Sequence, residues 1–599
     1  MSDNQNSPQS AFLQEAASIK SIIYSLIDGG DLEMAKQILE QYSVLNPTDP
    51  EIAPIKSTLY PSGAMSTKVG QDIPDDVSLM KDVETIFILS GIMHKSRTGY
   101  IDSVVRKIKL MEDKWNYKST LLTTIHNIEH QKAKIWLQTA GDDQTKMNPG
   151  TKIHNVFEYF QESYIDGLEN KAVYQPVNDG NRYVEVSDGI FEVFKNDSQA
   201  DEHYIRKEYY NGYSGCLRMV RFFETGKNLK DEIYDDWGYL NYIRYYDNKN
   251  NDRFEEKCYR TDGKLCIERF YEFTTEGAVP KKYIIYDKNG NKTAECLSTA
   301  ELTAYYLDQI ISEDKFYMII IEDGLMSKAA TMIKKKNAAK CIVVHNIFLN
   351  DAYDPKSKPQ KFYKYLCENH EKFDGIIQLT SDAKDDFDRL YKCNEKTFSI
   401  PHPYPYEIDK TDFSKRNTKK AVIIARLDPI KQINVAVDVF SLVVQKLPDV
   451  ILEIYGRGTE EENIRNKIKQ HGMENNIFLK GFIDAPLAVF NTAVMFMMTS
   501  KAEGFGLTVM ESICNGCPAF AFDVKYGPAE IIEYGKTGYL FKRFDINAFA
   551  GQIVEYLSDV ELQKTMSGNC YEAAYKFSND KFLSNWYNMT EALYNRQKQ

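Results

Sequence analysis

TSKAEGFGLTVMES, residues 499–512, is the stretch whose reading decides the fold. An apolar run at 494–499 leads into it and reads as a buried strand. A loop bearing glycines follows, then a helical pattern that carries Glu511 eight positions on from Glu503. Gly504 and Gly506 let backbone approach a ligand, and the amides of Leu507 and Thr508 open a helix N-terminus suited to phosphate. Such an end contributes only about 0.3 to 2 kcal/mol per charge, so a diphosphate needs cations as well. ARLDPIKQ supplies them, with Arg426 leaving a strand and Lys431 in the loop before a helix. Ligands collect at the carboxyl ends of parallel strands, so both cations are expected to meet the 506–508 backbone on one diphosphate, which makes a metal unnecessary. A pair of solvated surface charges is the bland alternative, and the neighbouring Glu loop argues against it.

Working outward, the surrounding pattern alternates strand and helix, with strands expected at 421–425, 450–455, 476–479, 494–499 and 518–523. This defines a Rossmann-like domain over 410–580 and leaves a C-terminal helix at 581–599 that is expected to return to the N-terminal domain. Upstream, IPHPYPYEIDK closes an earlier series of the same kind, with strands expected at 83–90, 121–128, 316–322, 339–344 and 375–379 and a helix at 99–115. Its two parts, 80–170 and 301–409, flank a different texture at 171–300. There, short aromatic runs alternate with turn signals, and 15 of the 40 tyrosines fall between 171 and 290, as in one-sided antiparallel strands. This is an inserted β-meander whose tyrosines either face a partner or pack on their own domain. The fold class is therefore α/β: two Rossmann-like domains, which imply a cleft, with an inserted meander and an N-terminal helical hairpin. That hairpin, 1–62, contains GDLEMAKQILEQYSVLNPTDPEI, which looks like one tetratricopeptide unit and serves as a cap, an oligomer contact or a partner site.

Composition sets the bounds. A chain of 599 residues exceeds one core, and 43% hydrophobic with 27% charged residues is an ordinary globular balance. The net charge of −12 rules out a global basic field for nucleic acid. MSDNQNSPQS lacks the features of a signal peptide, and no apolar run reaches membrane-spanning length, so a cytoplasmic location is expected, with peripheral contact at the inner membrane face open. The ten cysteines fit a reducing compartment; Cys514 and Cys517 could be a redox pair or half a zinc site, but helix-end packing is the simpler reading.

EGFGLTVMES closely resembles the E-x7-E signature of retaining glycosyltransferases of family 4, which have the GT-B fold. ARLDPIK is similar to that family's Arg and Lys loop, IYGRG to its Gly loop and LKGF to its base-contacting turn. The resemblance covers roughly residues 80–595. With the meander, FDVKYGPAEIIEYGKTGYLF is similar to wall teichoic acid α-glycosyltransferases and to accessory-secretion glycosyltransferases of serine-rich adhesins. It implies that Arg426 and Lys431 neutralise the donor diphosphate, that Glu511 binds the ribose and that Glu503 holds the transferred sugar, with Gly504, Phe505, Gly506, Leu507 and Thr508 nearby. It places the base against Gly456 to Gly458 and the turn at Lys480 and Phe482. It also implies that His345, which ends the strand-like run CIVVH, lies beside the donor sugar, although a lone His is often structural. The N-terminal glycine loop of relatives is represented here by Arg97, Thr98 and Gly99.

The implied activity is transfer of a hexose or N-acetylhexosamine, with retention, from a nucleoside diphosphate sugar, UDP-sugar being expected, to a polymeric acceptor such as teichoic acid or a serine-rich protein. The donor is a co-substrate and no cofactor is expected. A homo-oligomer or partner subunit could form through the meander. Two rivals remain: a noncatalytic acceptor-binding partner, which should have lost the Glu, Arg and Lys residues that stand here, and a nucleotide-sugar epimerase, which lacks the E-x7-E context.

Overall fold

The computed structural model describes residues 78–598 apart from 92–98, 140–145, 164–170, 174–178, 196–204, 212–215 and the short positions 116, 128–129, 225, 236, 248, 250–251, 276, 405 and 484. The helical hairpin expected at 1–62 lies outside the described residues, as do Arg97 and Thr98. The described chain divides into two compact units.

The C-terminal unit is built on six parallel strands in the spatial order Ile477–Gly481, Ile451–Tyr455, Asn417–Ile424, Ala493–Met498, Ala519–Phe522, Gly538–Phe541. Numbered along the chain this is 3-2-1-4-5-6, the doubly wound order whose reversal falls between the first and fourth strands. The strand Ala493–Met498 is buried at every position, as a strand covered on both faces must be, which is why its sequence is a continuous apolar run and not an alternation. The last strand, Gly538–Phe541, was not among those expected, because GYLF is short and follows a turn.

In the N-terminal unit, seven parallel strands run in the order Thr397–Ser399, Gly375–Gln378, Ala338–Val344, Phe316–Ile321, Val83–Leu89, Lys118–Thr123, Lys152–Asn155. This sheet also reverses between its first and fourth strands. The run expected to extend to 128 stops at Thr123, because the amides of Thr124 and Ile125 both turn to the carbonyl of Ser90. The helix Gly99–Trp115 has the bounds the sequence indicated.

Between the third and fourth strands lies a ten-stranded antiparallel sheet, Arg182–Ser187 to Lys292–Cys296, with every strand beside its sequence neighbours. One line of directly paired residues crosses seven of these strands: Glu192, Lys207, Arg221, Asp231, Arg244, Glu256 and Arg269. Cross-strand pairs share a face, so this row is a charge ladder. Asp231 and Glu256 are fully buried in it and hold the guanidinium groups of Arg221 and Arg269. Several tyrosines serve the ladder and are not surface groups: Tyr246 and Tyr271 each donate a 2.5 Å hydrogen bond to Asp231 and Glu256, and Tyr283 is buried. Buried carboxylates need such donors, which accounts for Tyr246 and Tyr271.

Two boundaries differ from expectation. Residues 379–386 and 401–409 were read with the N-terminal domain, yet they pack in the C-terminal unit: Asp386 takes the ammonium of Lys525, Glu530 accepts from the amide of Asp382 at 2.7 Å, and the amide of Tyr404 bonds to Phe577 O at 2.8 Å. The last helix, Asn579–Lys598, contributes residues 585–598 to the N-terminal unit, where Tyr594 meets Phe316 edge-on at 5.3 Å and Arg596 donates to Glu395 O. All ten cysteines are buried free thiols; Cys514 ends the helix Leu507–Cys514, and burial pushes the Cys517 thiol up to about 12. Among the described residues no helix is long and apolar enough to cross a membrane.

The N-terminal unit carries histidines that cannot easily charge. Burial, helped by the Arg269 guanidinium, lowers His126 to about 3; burial with Lys134 and His154 lowers His130 to about 3; burial with Lys152 and Lys134 lowers His154 to about 4. Unfolded imidazole protonates near 6.5, so between that pH and about 3 the unfolded chain binds more protons and stability rises with pH. The unit is expected to keep this stabilisation above pH 6.5 and lose it progressively as the pH falls toward 3. Thermal unfolding followed across that range checks it; a midpoint independent of pH between 6.5 and 4 would contradict the burial of these rings.

Candidate functional site

In the C-terminal unit the site begins with two loops at the point of strand reversal. The strands Asn417–Ile424 and Ala493–Met498 are parallel neighbours, so the loops leaving their carboxyl ends emerge side by side. They are stitched together. Thr499 Oγ1 donates to the carbonyls of Lys431 (3.2 Å) and Gln432 (3.0 Å), and Lys501 N bonds to Ile430 O at 2.8 Å. Pro429–Lys431 forms one 3-10 turn, and Gln432, in the left-handed region at φ 48°, redirects the chain into the helix Ile433–Lys446.

This stitching delivers Lys431 to Glu503, Nζ to Oε1 at 2.6 Å. Ser500 Oγ donates to the same carboxylate oxygen at 2.6 Å. The backbone of Glu503 is held by Lys525 O (3.1 Å) and by the amide of Tyr526 (2.7 Å). Phosphate oxygens accept charge-assisted hydrogen bonds as a carboxylate does, so an arriving phosphate can compete with Glu503 for Lys431. Arg426 is arranged differently. Its side chain is 76% exposed and its guanidinium pairs with Asp428 at 2.5 Å, so the structure brings Lys431 and Glu503 together while Arg426 contacts its own loop.

Gly506, at φ 93°, caps the helix Leu507–Cys514. The amides of Val509 and Met510 bond to Gly506 O, which leaves those of Leu507 and Thr508 at the open first turn. Gly504 lies in the preceding loop. The ring of Phe505 points into the core, edge-on to His402 at 5.5 Å and to Phe577 at 6.2 Å, so only its backbone can serve a ligand. Glu511 lies one turn into the helix, half-buried.

Gly456 bonds to Gly481 O at 2.8 Å and has φ 141°; an added Cβ would strike Ala425 O. A Cβ on Gly458 would strike the backbone of Leu427, so this loop packs directly on the one bearing Arg426. Lys480 turns to Glu453 at 3.6 Å, whereas Phe482 is 60% exposed beneath the guanidinium of Arg457 at 5.9 Å. Of the proposed turn, Phe482 therefore offers a flat exposed surface and Lys480 is occupied by a carboxylate.

In the N-terminal unit Gly99 opens a helix. His345 follows the strand Ala338–Val344 and is mostly buried. Its Nε2 lies 2.8 Å from Glu322 Oε2, and Glu322 Oε1 lies 2.5 Å from Lys107 Nζ. Burial lowers His345 from its ordinary value, with Glu322 opposing; burial works against the Glu322 carboxylate, but Lys107 and His345 outweigh it and hold it low. Lys107, Glu322, Thr499 and Ser500 were not singled out from sequence. Glu322 follows an apolar run and could have been flagged as a charge at a strand end, whereas Lys107 reads as a surface lysine on an amphipathic helix.

A doubly wound unit with a Lys–Glu contact, a glycine loop and an open helix start at the point of strand reversal, together with a second doubly wound unit, is the architecture of the GT-B fold. Residues 407–573 match the family of glycosyl transferases group 1, so the C-terminal unit carries a domain of that family. The chain is 28% identical over 464 residues to the poly(ribitol-phosphate) alpha-N-acetylglucosaminyltransferase of Staphylococcus aureus, covering 74% of this chain and 88% of that one. It is 25% identical over 527 residues to the poly(glycerol-phosphate) alpha-glucosyltransferase of Bacillus subtilis, covering 85% and 75%. Among solved structures, its fold is similar to Staphylococcus aureus TarM bound to Fondaparinux, alpha-GlcNAc-glycerol and UDP (TM-score 0.69, 24% identity, covering 85% and 99%). It is also similar to the pneumococcal O-GlcNAc transferase GtfA bound to UDP and GlcNAc (TM-score 0.64, 19% identity, covering 86% and 99%).

Gly456→Ala forces a side chain into a backbone contact at a φ that favours glycine and is expected to cost about 1–3 kcal/mol. Gly551, exposed in the helix Ile546–Ser558 with open space around its Cα, is the control: Gly551→Ala is expected to stabilise by about 1 kcal/mol. Urea denaturation of the two variants checks the contrast; equal midpoints would contradict the loop packing.

Proposed function

We propose that the protein transfers a hexose or N-acetylhexosamine from a UDP-sugar to a polymeric acceptor, a teichoic acid or a serine-rich protein, with retention at the anomeric carbon. The contact of Lys431 with Glu503 beside the open first turn at Leu507 carries this reading. In it, the donor diphosphate takes Lys431 and the amides of Leu507 and Thr508, and the exposed Arg426 leaves Asp428 to join them. Glu503 holds hydroxyls of the transferred sugar, Glu511 the ribose, and the base lies on the Gly456 to Gly458 loop with Phe482 beneath it. His345 acts on the same sugar. Arg97, Thr98 and Gly99 are assigned to the acceptor and leaving-phosphate side.

As the bond between the anomeric carbon and the diphosphate breaks, negative charge grows on the leaving oxygen, where fixed cations and amides stabilise it. The acceptor hydroxyl attacks from the same face and gives its proton to that oxygen. The linkage formed is α, the linkage named for the teichoic acid relatives. Two cations and a helix end do the work a metal would do, so none is required. The enzyme is placed in the cytoplasm, touching the inner membrane face at most peripherally. The ten-stranded sheet is proposed to meet a second subunit, with Phe254, Phe273 and Val279 exposed on it; the fold's similarity to a structure of the GtfA/B complex supports that choice (TM-score 0.64, 20% identity).

The test is mass measurement of candidate teichoic acids and serine-rich peptides after incubation with UDP-N-acetylglucosamine or UDP-glucose, with EDTA present. A shift of one sugar per site is expected. Arg426→Ala, Lys431→Ala and Glu511→Ala should each lower UDP release by roughly 10²- to 10³-fold. Near wild-type release in all three would end the proposal, and loss of activity in EDTA would end its metal-free form.

A further inference from the structure

Beyond the carboxyl ends of the strands in the N-terminal sheet, three large apolar side chains stand in water: Ile125 at 55% exposure, Leu325 at 48% and Phe362 at 50%. They come from three loops that touch. Thr124 Oγ1 donates to Met326 Sδ at 3.0 Å, and a Cβ added to Gly324 would meet Phe362 O at 2.3 Å, so the turn Gly324–Met326 lies between the other two loops. Single exposed apolar residues are ordinary, but neighbours held together in this way mark a surface that meets something apolar. The longest of the loops is pinned at its base, where the amide of Asn350 bonds to Lys358 O and that of Gln360 to Phe348 O, both at 2.9 Å, and Leu349 pairs with Pro359 as in an antiparallel ladder. Positive charge surrounds the patch. PKSKPQKFYK, residues 355–364, holds four lysines and no acid in a chain of net charge −12, and Lys328 follows three positions after Leu325. These five lysines are all exposed. The acids of the same loops face inward on them: Asp323, Asp351 and Asp354 accept from the amides of Leu325, Tyr353 and Lys356 at 2.9–3.0 Å.

We propose that this edge of the N-terminal unit is a docking surface for an anionic lipid bilayer: Ile125, Leu325 and Phe362 enter the boundary between headgroups and acyl chains, while Lys328 and the lysines of 355–364 meet lipid phosphates. Such a boundary takes apolar groups and ammonium groups together, and the long lysine side chains reach the phosphates from beside the apolar patch. A soluble polyanion asks only for cations and would leave the three apolar groups in water. A second copy of the chain docking by the same face would set lysines against lysines. The surface gives the peripheral membrane contact proposed above a place on the chain, and rests on that reading.

The experiment is co-sedimentation of the full chain with vesicles of phosphatidylglycerol and phosphatidylcholine in equal parts, and with vesicles of phosphatidylcholine alone, with thermal stability as the control for folding. Binding to the anionic vesicles is expected, weakening as salt is raised, with little binding to the neutral ones. Lys328→Glu/Lys356→Glu/Lys358→Glu is expected to lower vesicle affinity roughly 100-fold, and Leu325→Ser/Phe362→Ser roughly 10-fold. Both variants should keep the wild-type unfolding midpoint, because the altered side chains are exposed. Inorganic polyphosphate and light scattering supply the competing outcomes. Wild-type vesicle binding in Leu325→Ser/Phe362→Ser, with polyphosphate bound by the wild-type chain and lost in the lysine variant, would make the surface a polyanion site and overturn the proposal. An oligomer in solution that dissociates in Leu325→Ser/Phe362→Ser would assign the patch to a second copy and overturn it as well. Wild-type vesicle binding in both variants would overturn this location and leave the peripheral contact standing, whereas failure of the wild-type chain to bind anionic vesicles would remove the contact itself.

Discussion

The parallel pairing of Asn417–Ile424 with Ala493–Met498 is the constraint on which the candidate site depends. Parallel neighbours send their following loops out from the same edge, and only at a reversal of strand order do the helices behind them diverge to opposite faces and leave that edge open. Thr499 then ties the two loops with a pair of hydrogen bonds, so Lys431 and Glu503 meet although 72 positions separate them. Ser500 holds the same carboxylate oxygen, and the strand-like contact with Tyr526 holds the backbone of Glu503. A lysine and a glutamate held in this way have little freedom left to reorder.

The N-terminal unit repeats the device. Its first and fourth strands are neighbours across a long insertion, and the carboxyl ends of the fourth and fifth bring Glu322 and His345 together. The insertion is a sheet of hairpins whose central polar row alternates base and acid from Arg221 to Arg269. That row explains how strands with so many charged residues can be covered: each buried carboxylate faces a guanidinium on the adjacent strand and a tyrosine hydroxyl close by. At its end Arg269 reaches His126, in the loop after the strand Lys118–Thr123, while the same imidazole stacks on Phe157 at 4.5 Å and bonds to Asn241. The sheet is therefore joined to the unit that carries it by polar contacts as well as by aromatic packing.

Much of this organisation is legible in the chain because local patterns report local environments. FYMIII and AVMFMM are buried on both faces and read as continuous apolar runs, and YDKNGN reads as a hairpin turn because Asp287 caps its own loop through the amides of Asn289 and Asn291. The motif from Thr499 to Ser512 shows its glycine and its helix start for the same reason. Illegible elements were short or depended on distant partners. KIHN and GYLF are strands of four residues each, recognisable only by the neighbours they pair with. The two readings of the tyrosines stay open in the sequence because alternation marks a two-faced strand without saying which face is covered.

The sequence by itself determined the two doubly wound series, the inserted meander, and the residue types that suit a nucleotide sugar, since periodicity and glycine placement are properties of neighbouring residues. Tertiary structure alone decided that Lys431 touches Glu503 while Arg426 turns to Asp428, that the Phe505 ring faces the core, that residues 379–386 pack with the later unit, and that Lys107 and Glu322 stand behind His345. Those outcomes depend on which strands lie side by side, and strand order is set by the burial of whole sheets, a quantity no local stretch of chain contains.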